Sequence, residues 1–280
     1  MKLPFGNTQG GRLVYFYSRI MLRNEFKYFV HNSKMETLRN MILPFVKYDK
    51  FSQIMPEKHY TVRSIYFDTQ AFDFYFEKVE GLKHRKKFRL RGYNTNDGGS
   101  DLVFFEIKRK YEQPILKNRA PVSYNGALEI FRGGQIDNFI TNTPKFPVAI
   151  ENANRFFFHY YQRHLRPVIL VIYEREAFVG VNDNTIRVTF DKNLRGVAFP
   201  SIDKLYSEER SRSSLKDHFI LEVKFNDYYP SWMKPIIGIL GLHRQSASKY
   251  VITIDTQNFI NTSKLPNTFS HTQLFNNKVL

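Results

Sequence analysis

The sequence predicts an α+β protein in which antiparallel strands form a barrel with a polar, basic lumen and helices packed outside it. Three observations lead there. Residues Lys87–Arg91 read Lys-Phe-Arg-Leu-Arg, so in a strand Lys87, Arg89 and Arg91 share one face and Phe88 and Leu90 the other. Stretches 24–30, 84–93, 101–111, 185–191 and 219–226 repeat that division, and the stretch around Tyr173 and Arg175 is similar. A sandwich needs two apolar inner faces. Strands with one charged face close more simply as a barrel with the charge inward.

Taken in order, residues 1–22 are Gly-, Asn- and aromatic-rich without a period and read as a disordered extension, with Met21 an alternative start. Arg23–Val30 is the first strand, with Glu25 and Lys27 on one face. Ser33 with Glu36 three residues on reads as a capping box, opening a helix with Met35, Leu38, Met41 and Ile42 on one side. His59–Asp68 is a strand, and Thr69–Val79 a helix on the spacing of Phe72, Tyr75, Phe76 and Val79. Strand 84–93 turns at Asn94–Ser100 and returns as 101–111, with Glu106, Lys108 and Lys110 together. Arg119–Tyr124 is a short strand, Tyr124–Arg132 a short helix and Pro147–Gln162 an aromatic-rich helix. Pro167–Val181, Thr185–Asp191 and Phe219–Phe225 are strands, separated by a polar, mobile-looking stretch at 203–216. Trp232–Leu242 reads as a helix, and 256–280 as a weakly structured polar tail.

Chain length and an apolar fraction of 42% suit one large folded domain, here 23–255. Forty-two basic residues against 26 acidic, a net +16, call for an acidic partner: nucleic acid, an anionic membrane surface or a phosphorylated substrate. Cysteine is absent, which excludes disulfides and thiolate metal sites. The apolar runs Val168–Ile172 and Pro235–Leu242 fall short of the ~20 residues of a membrane helix, and no signal-peptide core is present. The expected location is cytoplasmic. Neither GxxxxGK[ST] nor GxGxxG occurs, HExxH is missing, and no recognised nucleic-acid-binding signature appears.

The lumen would gather Lys27, Lys87, Arg89, Arg91, Lys108, Arg175, Arg187 and Lys224 around Glu25, Glu106, Asp191 and Glu222. Such crowding is costly unless an anion is bound. Arginine forks suit phosphate oxygens and lysine supplies point charge. Glu25-x-Lys27, Glu106-x-Lys108 and Glu222-x-Lys224 each set an acid beside a base. Taken singly each reads as an ion pair; together they also offer oxygen ligands to Mg²⁺ or Mn²⁺.

The ordered set RNEFKY (23–28), SIYFD (64–68), KFRLR (87–91), FEIKRK (105–110), LRPV (165–168), YEREAF (173–178), IRVTFD (186–191), LEVKF (221–225) and SKY (248–250) resembles the VTC polyphosphate polymerase domain of the triphosphate tunnel metalloenzyme superfamily. The resemblance implies a tunnel that binds ATP, polyphosphate and pyrophosphate with a divalent metal, Mn²⁺ or Mg²⁺. It casts Arg89, Arg91, Lys108, Arg175 and Arg187 as the catalytic cations. Lys27, Lys87, Tyr173, Lys224, Ser248 and Lys249 would contact phosphate, and Glu222 would hold metal, with Glu25 and Glu106 as further candidates. Ser246 departs from the pattern, which often has a basic residue there. A domain without the added modules of eukaryotic relatives looks bacterial. The expected activity is transfer of the ATP γ-phosphoryl group to polyphosphate. Alternatives are a tripolyphosphatase or nucleoside triphosphatase, an idle polyphosphate sensor and a nucleic-acid-binding module. Nucleic acid is not the expected partner; a membrane-bound partner protein is compatible.

Overall fold

A computed structural model describes residues 23–93, 101–111 and 115–260. Expectations for residues 1–22, the 94–100 turn and the tail beyond 260 lie outside these. The strands are β1 (Asn24–His31), β2 (Val46–Tyr48), β3 (Tyr60–Asp68), β4 (His84–Tyr93), β5 (Leu102–Tyr111), β6 (Ile115–Ser123), β7 (Arg166–Gly180), β8 (Arg187–Ala198), β9 (Arg212–Ser213) and β10 (His218–Phe225). They form one antiparallel sheet in the order β1-β10-β8-β7-β3-β4-β5-β6, with β2 on β7 and β9 on β8. Among the described residues no ladder joins β1 to β6, so the barrel is a curled sheet with a seam.

Period-two alternation sorts the side chains of this sheet. Outward-facing Ile65, Phe67, Phe88, Leu90, Phe105 and Ile107 pack under α4 (Tyr124–Phe131) and α5 (Ala149–Gln162) in one apolar cluster. Outward-facing Val188, Phe190, Leu221 and Val223 pack under α1 (Met35–Ile42) and α6 (Met233–Ile239) in another. Two short helices, α2 (Lys50–Ile54) and α3 (Asp73–Val79), follow β2 and β3.

The final helix, α7 (Lys249–Asp255), breaks the expected pattern of helices outside. Its Val251, Ile252 and Ile254 pack with Ile169, Val171, Tyr173 and Ile220, which face the concave side of the sheet. Asp68 fixes this helix. Its carboxylate accepts from the backbone N–H of Phe74 and Tyr75, both at 3.0 Å, and from the Tyr250 hydroxyl. Ser248 caps the helix, its Oγ accepting from the Val251 N–H at 3.5 Å.

Two local expectations are corrected. Ser33 lies in a 3-10 turn and its Oγ sits 2.8 Å from His31 Nδ1, while Glu36 pairs with Arg39. The capping box fails because the α-helix starts at Met35, which leaves Glu36 too near the helix end to reach back. The polar 203–216 stretch is packed rather than loose. Leu205 is fully buried, and Glu208 bridges Arg63 and Arg195 on the outer face.

Gly196 is where α7 meets the sheet most closely. A Cβ there would lie 2.1 Å from Thr253 Cγ2 and 2.7 Å from the Leu170 carbonyl oxygen. Gly196→Ala is expected to cost ~1–3 kcal/mol by overpacking, measured as a lowered denaturant midpoint. Wild-type stability would contradict this docking of α7.

Candidate functional site

Register places the basic side chains on the concave face in facing pairs. Lys87 stands opposite Lys108, Arg89 opposite Glu106, and Arg91 opposite Phe104 and Ser64. Across the sheet Arg175 stands opposite Asp191, Lys27 opposite Glu222, and Lys224 opposite both Glu25 and Arg187. Together they line a cavity of about 1260 Å³. Among the described residues its walls carry eighteen Lys and Arg side chains against two carboxylates, Glu25 and Glu222. Every residue that the sequence placed in the lumen faces this cavity except Glu106 and Asp191, which are buried behind its walls.

The β1-β10-β8 side is the carboxylate wall. Glu222, nearly buried, receives Lys249 Nζ at 2.6 Å, with Lys224 at 3.2 Å and both Lys27 and Arg175 at 3.6 Å. Burial alone would raise its carboxyl. Lys249, Lys224, Lys27 and Arg175 outweigh burial and hold it well below the usual carboxylate range. Arg175 grips Asp191 through two parallel bonds of 2.6 and 2.7 Å, and Lys249 also pairs with Asp191. Glu25 pairs with Lys27 at 2.8 Å and Lys224 at 3.6 Å. Arg187 is anchored on Asp49 at 2.7 Å.

The β3-β4-β5-β6 side is the cationic wall. Arg89 donates through Nε to Glu106 at 2.6 Å and through Nη1 to the Tyr66 hydroxyl at 2.9 Å. Glu106 is fully buried and also takes Arg119 at 2.5 Å and Lys117 at 2.8 Å. Those three cations cover both its oxygens, a buttress for the wall rather than an open ligand. Arg91 has neutral partners only, Ser64 Oγ at 3.0 Å and the Tyr173 hydroxyl at 3.4 Å. Lys87 donates to Ser248 Oγ at 2.7 Å. Lys108 makes neither a hydrogen bond nor an ion pair among the described residues. Burial first, and then cationic neighbours, hold Lys87 and Lys108 well below the usual ammonium range.

Sequence reading missed several contributors. Lys117 and Arg119 share a face of β6, but the strand begins earlier than expected, so their alternation was cut short. Lys78 comes from α3, whose periodicity marks it only as a surface position; its Nζ donates to Ser246 Oγ at 2.9 Å. A cation thus reaches the position where Ser246 departs from the basic pattern.

Among the described residues no three acidic or histidine side chains converge on a metal position. Mg²⁺ and Mn²⁺ commonly use one or two carboxylates and complete their shell with water and substrate phosphates. Glu222 and Glu25, diagonal neighbours open to the cavity, fit that donor set; Glu106 does not.

The crowding sets a pH dependence. Burial and neighbouring cations bring Lys78 down to about 8; Lys117 also falls to about 8, burial outweighing Glu106. Burial would raise the Tyr93 phenol, yet Arg91 and Arg119 bring it down to about 8. Unfolded lysine and tyrosine titrate near ~10, so between about pH 8 and 10 the unfolded chain holds more protons and stability rises with pH. Denaturant midpoints of the ligand-free protein are expected to climb across that window. An entering anion reverses the shifts, so tripolyphosphate binding at about pH 8 is expected to take up protons. Heats that do not depend on buffer ionisation enthalpy would contradict this.

Among the described residues no helix is long and apolar enough to cross a membrane. The structure overlaps loosely with two solved ones. A putative adenylate cyclase from Bacillus halodurans gives a TM-score of 0.46 at 12% identity, covering 86% of this chain and 100% of that one. The PH1819 protein of Pyrococcus horikoshii gives 0.41 at 12%, covering 83% and 99%. In sequence the chain is similar to vacuolar transporter chaperone complex subunit 4 of Schizosaccharomyces pombe, 24% identical over 258 residues, covering 78% of this chain and 34% of that protein. The Trypanosoma cruzi protein of the same name is 27% identical over 216 residues, covering 64% and 26%. The chain therefore spans about a third or less of the length of these curated relatives. The VTC domain matches residues 22–258, nearly the whole of the described fold, and the chain belongs to the VTC domain family.

Proposed function

We propose that the protein is a polyphosphate polymerase that moves the γ-phosphoryl group of ATP onto the end of an inorganic polyphosphate chain. The observation that carries this is the charge of the cavity: eighteen basic side chains facing two carboxylates. A polyanion that neutralises several cations at once fits that excess; a small monoanion does not. Phosphoryl transfer asks for positioning and charge stabilisation more than for covalent chemistry. A terminal oxygen of the acceptor attacks the γ-phosphorus, the bond from that phosphorus to the β,γ-bridging oxygen breaks, and ADP leaves. Arg91, free of any carboxylate, and Arg89, set by Glu106, orient donor oxygens on one wall. Arg175, Lys249 and Lys27 oppose them. Phosphate oxygens beside Lys87 and Lys108 would offset the burial and cationic crowding that hold both ammonium groups down. A divalent ion held by Glu222 and Glu25 would supply additional charge neutralisation on the phosphates.

The direct test is to incubate the protein with ATP and Mn²⁺ and resolve products by chain length. Chains longer than three phosphates are expected. Orthophosphate and ADP alone would replace the polymerase with a triphosphatase, and no turnover with retained binding would leave a sensor. Glu222→Gln is expected to lower turnover by roughly 10²-fold or more while tripolyphosphate binding persists or tightens. The substitution frees Lys249, Lys224, Lys27 and Arg175 from a charged partner. Melting temperature should fall and be restored by tripolyphosphate. A folded variant with full metal-dependent turnover would make Glu222 an ion-pair partner alone.

A further inference from the structure

The two ends of the cavity differ in chemistry. Lumen-facing positions on β4 run from Arg85 through Lys87, Arg89 and Arg91 to Tyr93. At the Arg85 end the wall is cationic, with Lys110 of β5 and Lys78 of α3 beside it. At the Tyr93 end five aromatic rings follow one another across successive elements. Phe51 of α2 lies 6.2 Å from Tyr60, Tyr60 lies 6.2 Å from Tyr93, Tyr93 lies 6.0 Å from Phe104, and Phe104 lies 6.0 Å from Phe146. All five line the cavity. An inorganic phosphate chain has no use for such an arc, because it offers rings nothing to stack on.

We infer that this aromatic arc is a nucleobase subsite, which fixes the end of the tunnel where the nucleoside of the donor sits; the inference rests on the nucleotide-dependent reading above. Not every ring is available. Arg119 covers the face of Phe104 at 4.1 Å, and Tyr60 is nearly buried. Phe51 is 52% exposed at the mouth, and the cations near Phe51 and Phe146 are exposed lysines, Lys50 at 5.0 Å and Lys145 at 5.6 Å. Those lysines can swing aside, so Phe51 and Phe146 are the stacking platforms. Stacking accepts every base through its π-face, so purines should bind somewhat tighter than pyrimidines without strict selection. Tyr93 shares β4 with Arg91, and Phe104 lies on β5 next to the strand that carries Arg119, so a stacked base would hand its phosphates to the cationic wall.

The test compares a non-hydrolysable ATP analogue with inorganic tripolyphosphate by calorimetry, on the full chain. Phe51→Leu and Phe146→Leu keep apolar bulk and remove the ring face. The expected result is an affinity loss for the nucleotide analogue of about 10-fold or more in the double variant, with tripolyphosphate affinity unchanged and the melting curve preserved. An equal loss for both ligands, or none for the nucleotide, overturns the subsite. These outcomes are independent of turnover. A protein that makes no polyphosphate yet loses nucleotide affinity selectively would keep the arc while refuting the polymerase.

Discussion

Crowded positive charge is the constraint around which the rest of this structure is arranged. Two like charges 4 Å apart repel by about 4 kcal/mol at an effective dielectric of 20, and eighteen basic side chains line this one cavity. The fold answers with rigidity and buried acids. The apolar outer faces are pinned under α1, α4, α5 and α6, so the basic positions cannot turn away from one another. Glu106, Asp191 and Asp49 each hold a particular arginine, Arg89, Arg175 and Arg187, by short bonds. Asp68 does the same at one remove, by holding α7 through Tyr250 and so placing Ser248 and Lys249.

Most of the strands and their inward-facing cations were legible because strand alternation is strict and charge marks one face unmistakably. Arg89, Arg175 and Lys224 could be read from their neighbours two residues away. Helix α7 could not. Its run Val251, Ile252, Thr253 and Ile254 is β-branched throughout and favours a strand by propensity. Burial on the concave face and the Ser248 cap make it a helix instead. The Ser33–Glu36 pattern erred the other way, as a locally plausible cap that the chain bypasses with a 3-10 turn.

The three Glu-x-Lys pairs show where sequence reading of the site ends. Glu25, Glu106 and Glu222 look equivalent along the chain, each two residues before a lysine on the same face. The structure separates them through strands that no local pattern connects. Lys117 and Arg119 of β6 close over Glu106 and remove it from the lumen, whereas Glu25 and Glu222 sit diagonally across β1 and β10 and stay open to it. Tertiary neighbours, rather than the motif, decide which carboxylate remains available to a ligand.

The two walls also answer differently to an empty tunnel. Around Glu222 and Asp191, burial would push Lys249 down, but the two carboxylates overcome it and raise it, as Glu25 and Glu222 raise Lys27. These stay charged whether or not an anion is present. Across the lumen Lys87 and Lys108 have no such partners and are held down. A polyanion between the walls would relieve that crowding and draw both ammonium groups back toward their ordinary range. A polyanion long enough to reach both walls would meet already paired cations on one side and crowded, unpaired ones on the other.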